Sequence, residues 1–185
     1  WYAPHDLALS AEHLDRAEDP TAAASYQQAA EAEAAKLHLE TALQLTDRGL
    51  ELVTDPATRY ALLCLRADVL RDMGATAQSI TAFETAVEAA PDDITRCNAW
   101  IGVAKGLRIA DRQTEALEIL DKAQKVATDH DLASEQAQIH YLRGNVYFPL
   151  GNIDGCLEEH GKSLRFAQAA GSAEDEALAS GGLGD

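Results

Sequence analysis

Small residues recur along this chain at a nearly fixed pitch. Ala30, Ala67, Ala104 and Gly144 stand 37, 37 and 40 residues apart. Twelve residues after each comes Ala42, Ser79, Ala116 or Cys156, and seven further on comes Gly49, Ala86, Ala123 or Ser163. A period of this length is one supersecondary unit that cannot bury its apolar face alone and stacks on copies of itself. The small residues have a physical role in such a stack. Where two helices cross, a large side chain holds the backbones apart, whereas Ala, Gly, Ser or Cys lets them close and a neighbouring large group fills the groove.

Other positions keep the same register. Four residues before each first small position lies Tyr26, Leu63, Trp100 or His140, and three after it Glu33, Leu70, Leu107 or Tyr147. Four after the second small position stand Thr46, Phe83, Leu120 and His160. Leu37, Gly74, Asp111 and Gly151 follow the first small residue by seven, mostly turn formers that end one helix before the next begins. Each unit therefore reads as helix A, tight turn, helix B. The units predicted are about 23–56, 60–93, 97–130 and 137–170, after a helical segment over 1–22. Asp19-Pro20 and Asp55-Pro56 place a carboxylate cap before a first-turn proline. Pro91-Asp92-Asp93 separates the second and third units, and Ser172-Ala173-Glu174-Asp175 has capping-box spacing. Leu183-Gly184-Asp185 restarts the pattern, with Gly184 again 40 after Gly144. That predicts a truncated fifth unit over 177–185 with an incomplete C-terminal cap, and the missing initiator Met predicts a fragment of a longer protein. The fold class expected is all-α: a right-handed superhelical solenoid of antiparallel helix pairs.

Composition narrows the partners. Aromatics make up 5% and the net charge is −16, which argues against nucleic acid and anionic membranes, both of which need clustered Lys and Arg. The acidity is uneven: 11 acids against 3 bases over residues 1–56, but 7 against 6 over 94–136. A surface that tolerates anions is therefore expected in the middle of the chain. Cys64, Cys97 and Cys156 are odd in number and lack CxxC spacing, which fits reduced thiols and a cytoplasmic protein rather than a disulfide frame.

Few residues invite a catalytic reading. Cys156 and His160 share a helix face, so a thiolate–imidazolium pair is geometrically feasible. They also occupy the second small position and its large partner, and packing is the stronger reading. No further Cys or His stands near enough in sequence to complete a metal site. His140 takes the place of Trp100 and reads as a packing group. Ala-Ser-Gly-Gly-Leu-Gly near the end follows no strand and precedes no Lys-Ser/Thr, so it is not a phosphate loop. Asp92-Asp93 and Glu158-Glu159 read as loop or solvated-face residues. No catalytic residue, metal or cofactor is expected.

The register resembles the tetratricopeptide repeat family. Trp100 and Ala104 carry its signature in the third unit, Phe83, Ala86 and Pro91 in the second, and Gly144, Asn145, Tyr147 and Gly151 in the fourth. The resemblance covers about Ala23 to Asp185. Arg66 and Arg143 stand where the family places Leu, and no Pro closes the third or fourth unit. The pitch exceeds the usual 34, which looks like the extended arrays of kinesin light chains and of bacterial ATPase-linked signalling proteins.

The resemblance implies a non-enzymatic scaffold whose A helices line a concave groove for a protein or peptide segment. The inward positions it assigns centre on Arg71, Asn98, Lys105, Arg108, Tyr141 and Asn145, which are the expected partner-binding residues. Gln27 and Glu31 replace the Lys and Asn of a carboxylate clamp, so chaperone-tail binding is not expected. Pro149, late in helix A, either ends that helix or leaves the Asn145 carbonyl open as a notch in the groove. The alternative function is a sensor or regulatory arm of a larger ATPase-containing signalling protein, of transcription-activator or nucleotide-cyclase type, binding a small ligand or other domains of the same chain. Self-association through a truncated end is a further expectation.

Overall fold

The computed structural model describes residues 6–184, which among themselves form helices and turns with no strand. Two compact units divide at Pro91 and Asp92. The first holds α1 (Leu7–Arg16), α2 (Ala22–Ala35), α3 (Leu39–Leu52), α4 (Pro56–Asp72) and α5 (Thr76–Ala89). The second holds α6 (Asp93–Ile109), α7 (Gln113–Asp129), α8 (Ala133–Tyr147), α9 (Ile153–Ala170) and α10 (Ala173–Leu183). In the first, each helix packs on the next and α2 also lies beside α4; in the second, each packs on the next and α8 lies beside both α6 and α10. The fold class is that of an all-α helical-repeat solenoid.

Local sequence explains where the helices start. Asp55 accepts from the Thr58 amide at 2.8 Å, with Pro56 in the first turn where no amide is missed. Asp92 and Thr95 form a reciprocal capping box at the start of α6. Asn152 caps α9 through the Gly155 amide at 3.0 Å, and Ser172 caps α10 through Asp175 at 3.2 Å. The expected cap at Asp19-Pro20 is displaced. Asp19 binds the amide and hydroxyl of Thr21 (2.8 and 2.6 Å) inside the turn, and α2 starts only at Ala22.

The twelve small positions are all buried. Two of them make specific bonds: Ser79 Oγ donates to the Ala67 carbonyl at 2.7 Å, and Ser163 Oγ to the Ala137 carbonyl at 2.8 Å. Their large partners Tyr26, Leu63, Phe83 and Leu120 are buried beside them. Turn backbone follows the same register: Leu37, Gly74, Asp111 and Gly151 all have positive φ, at 62°, 79°, 59° and 74°. The pattern ends differently from expectation at Gly184. α10 begins 40 residues after α8 (Ala173 against Ala133) but stops at Leu183, so Gly184 is its left-handed cap rather than a packed position.

Arginines replace leucine where a helix A meets the preceding helix B. Arg66 Nε donates to Asp47 at 2.7 Å, joining α4 to α3, and Arg143 reaches Asp121 at 2.6 Å, joining α8 to α7. α1 is fixed in a related way. Ala11 is fully buried, and Arg48 on α3 grips Asp15 through two nitrogens at 2.7 and 2.9 Å. Glu33, the one departure from the large-residue register, closes the α2–α3 turn by accepting from Lys36 (2.8 Å) and pairing with His38 (2.7 Å).

Candidate interaction face

Asn98, Lys105 and Arg108 lie on α6, and Tyr141 and Asn145 on the adjacent α8. The seven- and three-residue steps from Asn98 to Lys105 to Arg108 keep those side chains near one face of the helix. Lys105 Nζ donates to Gln138 Oε1 at 3.2 Å, a direct tie between the two helices. Arg108 is half-buried, and its Nε has no hydrogen-bond partner. Asn98 is exposed and Asn145 half-buried. Tyr141 has a structural contact as well: it packs against the apolar cluster of α6, α7 and α8, and its ring tilts by 56° against His160 at 5.5 Å.

Arg71 belongs to the first unit, near the end of α4. Its guanidinium pairs with Asp68 at 2.5 Å and Asp72 at 3.4 Å, so this cation is engaged within its own helix. Pro149 ends a helix. α8 stops at Tyr147, and Phe148, Pro149 and Leu150 stand exposed in a five-residue turn where the other A–B turns have three.

The Cys156–His160 pair is interior, with 5% and 2% exposure. Burial pushes the thiols of Cys64 and Cys97 up to about 11, so neither is a thiolate near neutral pH. All three cysteines are free. Among the described residues no group of three or more His, Cys, Asp or Glu could hold a metal ion. Nor is any of their helices long and apolar enough to cross a membrane.

One ionic cluster was misread as surface. Glu159 is buried, not solvated like Glu158: its carboxylate meets His140 Nδ1 at 2.6 Å and accepts from Lys162 Nζ at 2.7 Å. The His140 ring also stacks on Phe166 at 5.4 Å. Burial alone would raise this carboxyl, but the bonds from His140 and Lys162 outweigh it and hold the group down to about 2. The sequence signal was the 19-residue step from His140 to Glu159, which matches the step from Trp100 to Ile119 one repeat earlier.

Residues 60–93 match the sequence profile of the tetratricopeptide repeat. Within that stretch the chain carries a tetratricopeptide repeat. No curated protein matches it in sequence. Solved structures share the repeat fold at low identity. BtubC from P. vanneervenii is 15% identical with a TM-score of 0.78, over 96% of this chain and 79% of that one. Aspartyl phosphate phosphatase F from Bacillus subtilis is 17% identical with a TM-score of 0.77, over 89% of this chain and 46% of that one. YrrB, described as a TPR protein with an unusual peptide-binding site, is 20% identical with a TM-score of 0.62, over 94% and 84%.

Proposed function

We propose that this protein is an interaction scaffold, and that its second unit receives an extended polypeptide along the face of α6 and α8. The observation that carries the reading is the row formed by Asn98, Lys105 and Arg108 on α6 beside Tyr141 and Asn145 on α8. Amide and guanidinium groups there can bond peptide carbonyls and side chains, and Tyr141 offers an aromatic surface. Arg71 on α4 is a separate candidate within the first unit, where a ligand carboxylate would compete with Asp68 and Asp72. The repeat family, and the peptide-binding site named for the structurally similar YrrB, support a protein or peptide partner. In the regulatory-arm arrangement, that partner is another domain of the same polypeptide. The reading involves no catalysis.

The test begins with peptides selected from a displayed random library against the intact chain. Their affinity is then measured by calorimetry for wild type, Lys105→Glu/Arg108→Glu and Asn145→Ala. The charge reversal should weaken binding at least tenfold, about 1.4 kcal/mol, with an unchanged thermal melt. Equal affinity for the double variant would remove this face from consideration.

A further inference from the structure

His160 stands between two glycines on two different helices. On α8, a Cβ added at Gly144 would lie 2.7 Å from the ring's Cε1 and Nε2. On α10, one added at Gly182 would lie 2.5 Å from Cε1 and Nδ1. Both distances are shorter than any ordinary carbon contact, so the imidazole fills the space that an alanine on either helix would need. Tyr141 closes on the ring at 5.5 Å. The side chain is 2% exposed, and its Nδ1 has no hydrogen-bond partner. α10 thus rests its backbone on an imidazole whose buried Nδ1 is unbonded. A buried donor without an acceptor is costly, and a buried charge more so. Adding a proton to this ring creates both.

The surrounding charges do not offset that cost. On its own helix the nearest is Glu159, whose carboxylate is already shared between His140 and Lys162, and Glu158 is also bonded to Lys162 at 2.8 Å. α8 contributes His140, committed to Glu159, and Arg143, committed to Asp121 and Gln124 of α7. The titratable residues of α10 (Glu174, Asp175 and Glu176) lie in its first turn, away from Gly182. Cys156 is the remaining ionisable group on the inner part of α9.

We propose that His160 is an acid-sensitive latch for α10: a proton taken up from solvent drives the ring out from between Gly144 and Gly182 and loosens α10 from α8 and α9. The direction agrees with the group's titration, since burial lowers it below the ordinary histidine value more than the Glu159 charge raises it. The sign follows from linkage. A depressed histidine contributes stability that is complete above about 6.5 and is lost as pH falls through that value toward the folded one. The Glu159 carboxyl ionises down to about 2, so it stays charged across this window.

The intact chain is tested by amide hydrogen exchange of α10 between pH 7.5 and 5.0, corrected for intrinsic rates, alongside an NMR titration of the His160 ring. In wild type the ring should titrate below 6.5 and α10 protection should fall with pH, by up to roughly tenfold per unit of depression. In His160→Phe and His160→Leu, which copy Phe83 and Leu120 at the same register position, α10 protection should be flat. The latch is excluded if wild-type α10 protection does not change, if it changes equally in whichever variant folds, or if the ring titrates at or above 6.5. The ring titration needs no variant, so it decides the matter even if both substitutions unfold the chain.

Discussion

The hairpins α6–α7 and α8–α9 share one frame and fill it with different chemistry. Shifted by 40 residues, Trp100 and Ile119 become His140 and Glu159, Leu120 becomes His160, and Ala123 becomes Ser163. Leu120 and Ala123 of the first set belong to an apolar cluster with Cys97, Ile101 and Ala104, against which Trp100 and Ile119 pack while partly exposed. The second set is buried throughout but hydrogen-bonded and ionic. The repeat therefore specifies volume and position and leaves the chemistry of the contact open, provided each buried polar group finds a partner. His160 Nδ1 is the exception within that set. An apolar hairpin is insensitive to pH, whereas its polar counterpart must respond to it.

Three substitutions probe that contrast. Leu120→Ala opens a cavity in a fully buried apolar site and should destabilise the chain by about 2–5 kcal/mol in denaturant unfolding. A loss below about 1 kcal/mol would mean that the apolar hairpin is not the better-packed one. Glu159→Gln should lower stability near neutral pH by on the order of 2 kcal/mol, and its larger signature is in the pH profile. Because the native carboxyl is held down to about 2 from an ordinary 4.5, its contribution is full above about 4.5 and lost as pH falls toward 2. Wild type should show that acid limb and the variant should lack it; identical limbs would refute the ionic account. Ser163→Ala, which copies Ala123, removes only the bond to the Ala137 carbonyl and should lie within about 1 kcal/mol of wild type. A much larger loss would show that the polar hairpin depends on each of its bonds.

Much of the frame was legible because it rests on size and spacing. The twelve small positions, the left-handed glycine turns at Gly74 and Gly151 and the caps at Asp55 and Ser172 follow from local rules that a sequence states directly. What escaped depends on partners. Glu159 looks like any surface acid until His140, 19 residues earlier, is brought against it. Gly182 became legible only with the His160 ring in place, because a glycine facing a neighbour and a glycine facing solvent are written alike. α10 also stops one residue short of Gly184, in a stretch where three nearby glycines weaken the helix. For the candidate face, spacing placed Lys105, Arg108, Tyr141 and Asn145 on two helices. It could not show that Tyr141 leans on His160 or that Arg71 is held by Asp68 and Asp72.

The left-handed turn has a consequence for how such a chain drifts. Leu37 adopts the same left-handed region as Gly74 although a left-handed residue with a side chain is disfavoured by roughly 1–2 kcal/mol. Leu37 is 75% exposed, and a Cβ built at Gly74 meets nothing. Helices on either side hold the backbone there whatever residue occupies it, so substitutions can erase the written signature of a repeat while the hairpin stays. The segment matched by its sequence, residues 60–93, keeps both the glycine and the three-residue turn. Its neighbours have exchanged one or the other, and keep the register of small residues and the left-handed backbone.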